Sequence, residues 1–358
     1  MRKKERTGYM KKSKLLCLLL ALLLIGSLLT ACAPKQKTVH KLNFSIGDPQ
    51  ASSKAIYYQS LADKTLEATD GGLEITIHSG GTLFSHLEVL EGVMSGAADI
   101  GWFCTPFAPG QFPLAEVFQL PLAYGNQKAA TYALQELYKQ SPELQAELSG
   151  IKVLGLYAGP TNKLFTTVPV HTPADLAGLQ IRTMSGAPEA CLKQWGASPV
   201  FIGAGEIYEG MDKGVLQGFT FEWSGIKSNT LYEVFDYAID IPFYTNPFIV
   251  LMNKQSYDNI PKEYKAAFDE IWGSTAAAND YVDIFAAEDK ASHDTGLKDY
   301  DIEEITLTDA ELAQFKVYAD QYIAEWGKSH STDTFDAKAY ADLAIKLYNE
   351  GCEKFPVS

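Results

Sequence analysis

The stretch 73-LEITIHSGGTLFSHLEVLEGVMSGAADIGW-102 decides the fold. Leu73, Ile75 and Ile77 alternate as the residues of a half-buried strand do. A Ser-Gly-Gly turn follows, then a helical segment over 86–95, then a second apolar run ending in Trp102. Working upstream, HKLNFSI (40–46) reads as another strand. It is followed by the turn Gly47-Asp48-Pro49 and by a helix over 52–69 that Gly71-Gly72 stops. Strands that alternate with helices predict an α/β chain with mostly parallel, doubly wound sheets. In such sheets ligands sit beyond the carboxyl ends of the strands. Asp48, Gly80 and residues 102–105 fall at such ends.

Downstream, PFAPGQFPLAEVFQLPL (106–122) is loop-like and apolar, as a segment packed across a surface is. A helix over 127–141 and a strand over 151–157 lead into a second α/β unit. Its predicted strands are 162–167, the run Leu179–Arg182 and 215–221, with helices over 187–195 and 207–213. NPFIVLMNK (246–254) reads as a return strand. Pro261 then opens a long helix, 261–295, with Tyr264, Phe268, Ile271 and Thr275 on one stripe. A strand over 302–307, a capping box at Thr308–Glu311 and a last helix over 336–352 complete the chain. No internal repeat and no low-complexity segment is present.

Residues 1–31 read as an export signal rather than as part of the fold. Seven Lys and Arg precede the apolar run LLCLLLALLLI (15–25), which is short for a spanning helix. The segment closes with LTAC (29–32), whose small residues before a cysteine resemble a bacterial lipobox. That implies cleavage before Cys32 and lipidation of its sulfur and amine; an ordinary secretory signal with an incidental cysteine is the other reading. Residues 32–39 form a polar tether. The expected location is the outer face of the cytoplasmic membrane, held by the lipid.

Without residues 1–31 the chain keeps 23 Lys and Arg against 43 Asp and Glu, a net charge of −20. Such a surface excludes nucleic-acid partners, and an anionic ligand needs a local positive site. Cys104, Cys191 and Cys352 are too widely spaced for a disulfide framework or a CxxC site.

Four motifs, GGTLFSHLEVLEGVMSGAADIGW (80–102), DLAGLQIR (175–182), EIYEGMDKGVLQG (206–218) and FIVLMNKQSYDNIPKE (248–263), occur in one order and spacing. In that arrangement the mature chain resembles the extracytoplasmic solute-binding proteins of TRAP (tripartite ATP-independent periplasmic) transporters, of the DctP type. GQFPLAEVFQLP (110–121) further resembles one branch of that family. The resemblance implies a two-lobed, periplasmic-binding-protein-like α/β fold with a long helix linking the lobes. Residues 40–160 plus 249–297 form lobe I; residues 161–248 plus 298–358 form lobe II. It implies a cleft that closes on a small organic acid, delivery to a small and a large membrane subunit, and transport driven by an ion gradient.

The site residues follow from the same resemblance. Arg182, at the end of the DLAGLQIR strand, falls where the family carries its carboxylate clamp, and a planar guanidinium suits that task. The alternative is an internal salt bridge to Asp175 or Glu189. Where many members have an Asp and later an Asn after the EIYEGMDKGVLQG-like helix, this chain reads LQGFTFEW, with Glu222 and Trp223 at the strand end. Glu222 is expected to accept from a ligand hydroxyl or amine, or to pair with Arg182 in an empty cleft. EWSG is also similar to keto-acid-binding relatives whose nearby groups help bind a metal; one carboxylate is not a metal site, so neither metal nor cofactor is expected. Asn162 stands 20 residues before Arg182, where the sialic-acid branch has a second Arg. Trp102, Phe103, Trp223 and Phe248 are candidate aromatic faces for an aromatic or keto acid, and Asn246 is a polar candidate beside the return strand.

No nucleophile, zinc, P-loop or dinucleotide motif is present, so no enzyme is expected. His78 and His86 read as exposed or helix-start residues. The competing readings are a solute-binding lipoprotein of an ATP-driven importer and a ligand sensor.

Overall fold

The computed structural model describes residues 38–273 and 275–356. The chain opens with β1 (His40–Ser45), α1 (Ser53–Ala68), β2 (Leu73–His78), α2 (Val89–Met94) and β3 (Ile100–Cys104). Ser52 starts α1 by accepting from the Ala55 N–H. Gly71, at φ 75°, turns the chain into β2, a conformation that glycine adopts without steric cost. The apolar segment after β3 forms two short 3₁₀ turns and leads to α3 (Gln127–Gln140), α4 (Pro142–Glu147) and β4 (Lys152–Ala158).

A second unit then forms from β5 (Asn162–Thr166), β6 (Gln180–Arg182), α5 (Ala187–Gln194), β7 (Ser198–Val200), α6 (Ile207–Asp212), β8 (Gly218–Phe221), α7 (Trp223–Ser228) and β9 (Tyr237–Tyr244). β10 (Pro247–Met252) returns to the first unit. It is followed by α8 (Lys254–Asp258), α9 (Lys262–Trp272), α10 (Thr275–Asp299), β11 (Glu303–Ile305), α11 (Asp309–Ser329) and α12 (Ala337–Lys354).

The strands make two sheets, ordered β2-β1-β3-β10-β4 and β11-β9-β5-β8-β6-β7. In the first, β1 runs parallel to β2 and β3, and β10 runs antiparallel to both its neighbours. In the second, β5 is the reversed strand, between β8 and β9. Each reversed strand has just arrived from the other sheet, β5 after β4 and β10 after β9. This is the expected two-lobed α/β fold, with mostly parallel sheets.

Three expectations change. The long helix is broken: α9 ends at Trp272, whose indole donates to Thr65 Oγ1 at 2.8 Å and stacks on Tyr58, and Gly273 separates it from α10. The predicted start of lobe I's second segment, residue 249, lies inside β10, which joins the first sheet from Pro247. Finally, α12 does not go with the second sheet as the 298–358 assignment expects. It packs on α3, where Gly351 lies so close to Ala129 that an added Cβ would stand 2.8 Å from Ala129 Cα. The capping box at Thr308 and Glu311 is present and starts α11. Cys32 and the export signal lie outside the described residues.

Candidate functional site

The carboxyl ends of β3, β6 and β8 and the inner face of α10 converge on one cavity. The sheet built from β6 and β8 supplies Arg182. Its side chain is 1% exposed. Nε donates to the Ile202 carbonyl at 3.1 Å, Nη1 to the Thr220 carbonyl at 3.1 Å, and Nη2 lies 3.4 Å from Met184 Sδ. The Phe221 ring sits 5.3 Å from its guanidinium carbon. Every partner is neutral. Neither alternative carboxylate reaches it: Asp175 caps its own turn through Thr172, and Glu189 pairs with Lys193. Burial pulls the Arg182 pKa below its ordinary value, opposed by Tyr244 and Glu222.

Glu222, 9% exposed, lines the same cavity. Burial raises its pKa to about 7; its own main-chain N–H, Lys54 and Arg182 oppose that rise. Among the described residues it makes no ion pair, with Arg182 or with any other cation. Asn162, 1% exposed at the start of β5, also lines the cavity, and its Oδ1 has no hydrogen-bond partner. Asn246 accepts from Gln119 Nε2 at 3.0 Å. Trp102 and Phe248 stack at 4.7 Å between centroids, and the Trp102 indole donates to the Tyr157 hydroxyl.

The structure therefore gathers Arg182, Glu222, Asn162, Trp102, Asn246 and Phe248 around one space. Trp223 is not among them. The chain turns into α7 at Glu222, so Trp223 points into the second lobe's core against Phe165 and Phe235. Phe103 is likewise a core residue, packed on Phe112.

Sequence reasoning missed four groups. Lys54 sits in the first turn of α1, where a cation opposes the helix dipole unless something pairs it. Asp48 does so, at 2.8 Å, and the Lys54 ammonium also lies 3.1 Å from the Trp102 ring centroid. Burial would raise Asp48, but the adjacent Lys54 and His86 hold it below its ordinary range. His86 is not simply exposed: its half-buried ring walls the cavity, and burial lowers its pKa. Tyr281 and Glu288 come from α10, and Glu288 accepts from Ser53 Oγ. The only hint for these last two in the sequence is the helical spacing of seven.

Chemically, this is a chamber with several aromatic faces, one unpartnered amide oxygen on Asn162 and, among the described residues, one guanidinium without a carboxylate partner. No cluster of metal-ligating residues occurs among the described residues. The family model for bacterial extracellular solute-binding protein family 7, DctP, matches residues 44–329. The chain belongs to that family. Family 7 members are solute-binding proteins of transport systems, and the pairing of a two-lobed fold with a buried central cavity is what that role requires.

Among its relatives, the 2,3-diketo-L-gulonate-binding periplasmic protein YiaO of Escherichia coli K12 is 26% identical over 283 residues, covering 78% of this chain and 85% of that one. The C4-dicarboxylate-binding periplasmic protein DctP of Rhodobacter capsulatus is 24% identical over 254 residues, 70% and 74% of the two chains. A marine-metagenome TRAP solute-binding protein specific for aromatic acids, crystallised with 3-hydroxybenzoate, shares the fold at a TM-score of 0.81. It is 24% identical, over 87% of this chain and 99% of that one.

Proposed function

We propose that this family 7 protein is the receptor of a TRAP-type secondary transporter, which captures a small carboxylate between its lobes and hands it to a small and a large membrane subunit. The observation that carries this reading is Arg182: a fully buried guanidinium that faces a cavity and has only carbonyl and thioether partners. Leaving such a charge without a counter-ion is costly, and a ligand carboxylate is the missing one. Closure dries the chamber and strengthens the ion pair. The relatives that bind diketogulonate, C4-dicarboxylates and aromatic acids support an organic acid as the class. The aromatic walls favour a ligand with an apolar body over a small dicarboxylate. Family membership favours this reading over an ATP-driven importer or a stand-alone sensor.

The LTAC segment supports a lipid anchor at Cys32, with the receptor held on the outer face of the membrane. Metabolic labelling with a radioactive fatty acid tests it: label lost in Cys32→Ala is the expected result, and an unlabelled native protein defeats the anchor.

Thermal shifts of the purified receptor against mono- and dicarboxylates, keto, hydroxy and aromatic acids test the capture itself. A ligand at a hundred times its Kd adds about 2.7 kcal/mol. Response to a class of acid supports the reading. Response only to neutral sugars would mean that Arg182 is structural.

A further inference from the structure

The cavity's charges do not balance for a simple acid. Its wall carries two cations, Arg182 and Lys54, and three acids, Asp48, Glu222 and Glu288. Lys54 and Asp48 satisfy each other, and Ser53 donates to Glu288. His86 faces Asp48 and Lys54, and burial lowers its pKa. What remains around the space, among the described residues, is one cation, Arg182, without an anion, and two acids, Glu222 and Glu288, without a cation. A carboxylate alone would pair Arg182 and leave Glu222 as an unpaired buried acid next to a second anion, which is the costly arrangement.

We infer that the ligand carries a cationic nitrogen as well as its carboxylate, the carboxylate on Arg182 and the nitrogen on Glu222: a small zwitterion with an apolar body. This inference rests on the carboxylate reading above and narrows it. Two further observations point the same way. Asn162 Oδ1 is a buried acceptor on the same wall with no donor, and an N–H of the ligand is one. The Phe221, Phe248 and Phe285 rings line the space, and aromatic faces attract a desolvated cation. The raised pKa of Glu222 is what a carboxylate shows while its partner is absent. The other groups that act on Glu222 are Asp289 on α10, Lys54 on α1 and Arg182 on β6. Asp289 does not line the cavity; it accepts from Ser224 N and Oγ, and its pKa is raised to about 6.

The test is titration calorimetry of the receptor, purified after expression of the full chain, with acids that differ only by an amine. The pairs are 3-phenylpropanoate with phenylalanine, cyclohexanecarboxylate with piperidine carboxylates, and butanoate with 4-aminobutanoate. The expected result is that the best aminated acid binds at least tenfold tighter than its partner, and that Glu222→Gln erases this preference. Raising the pH from 6.5 to 8 ionises Glu222, so the zwitterion tightens and the plain acid loosens; both slopes flatten in Glu222→Gln. Plain acids that bind as tightly as their aminated partners, in an order that Glu222→Gln does not alter, overturn this inference and leave the carboxylate reading standing. No binding in either arm, or binding of 2-phenylethylamine without any acid, overturns both.

Discussion

Arg182 concentrates the argument at the scale of single residues. Its guanidinium spends two donors on the carbonyls of Ile202 and Thr220, which fixes the plane in which a ligand carboxylate can dock. Arg182→Ala removes both the fixed plane and the charge. We expect at least a hundredfold loss of carboxylate affinity by calorimetry, with the far-ultraviolet circular dichroism unchanged. Arg182→Lys keeps the charge but not the planar fork, and should fall between the two. Near-native affinity in the alanine variant would falsify the clamp.

Glu222 gives a second expectation, in pH. Its carboxyl titrates at about 7 in the fold and near about 4.3 when unfolded. Between those values the native state holds a proton that the unfolded state has lost. The stabilisation is therefore complete below the unfolded pKa and is lost as pH rises through 7. Glu147, raised to about 7, and Asp289, raised to about 6, act in the same direction. The Tm of the ligand-free receptor should fall from pH 5 to pH 8, with Glu222 contributing on the order of 2 kcal/mol. Glu222→Gln should reduce that slope; an unaltered slope means that Glu222 has an ordinary pKa. Arg182 was legible in the sequence because it ends a short apolar strand within a recurrent motif. Trp223 was misplaced because LQGFTFEW reads as one strand, while the chain turns into α7 at Glu222 and rotates the next side chain away from the cavity. Lys54 was overlooked although a lysine in a first helical turn is a signal in itself.

Among the elements, the opening βαβαβ was legible because each piece has its own punctuation, Ser52 and Gly71-Gly72 around α1 for instance. The break between α9 and α10 was not, because Phe268, Ile271 and Thr275 continue one stripe across Gly273, and a single glycine inside a helical pattern does not force an end. The anchor that ends α9 is tertiary, the indole of Trp272 on Thr65. The placement of α12 was illegible for a related reason: an amphipathic helix shows that it has an apolar face, not which sheet will cover it. Gly351 is what lets α12 approach α3. A Cβ there would meet Ala129 backbone Cα and O, both at 2.8 Å, atoms that cannot rotate away as a side chain does. Gly351→Ala gains helix propensity of about 1 kcal/mol, yet overpacking against backbone costs about 1–3 kcal/mol. The net expectation is a Tm lowered by several degrees with ligand affinity intact. An unchanged or higher Tm would show that α12 is docked more loosely than this contact implies.

For the whole molecule, the chain passes between the two sheets at two crossings. The β4–β5 and β9–β10 links lie side by side and bond to each other: Gly159 N donates to the Asn246 carbonyl at 2.9 Å, and Thr245 Oγ1 donates to the Gly159 carbonyl at 2.6 Å. Phe248 packs so tightly over Gly159 that a Cβ there would stand 2.5 Å from its ring. Asn246 on one link, and Phe248 and Asn162 just beyond the links, also line the cavity, so any bending at the crossings would move ligand-facing groups directly. A ligand shifts an open–closed equilibrium only by its differential affinity for the closed form. Thr245→Val keeps the shape and removes one buried hydrogen bond, worth about 1–2 kcal/mol with the Gly159 carbonyl left unpaired. If that bond is made fully only when the lobes are closed, part of its loss appears in binding. Affinity should then fall about three- to tenfold although Thr245 does not line the cavity, and small-angle scattering should show a ligand-free population more open than the native one. A lowered Tm with native affinity and native scattering would instead assign the bond to folding alone, and would move the hinge away from this pair of links.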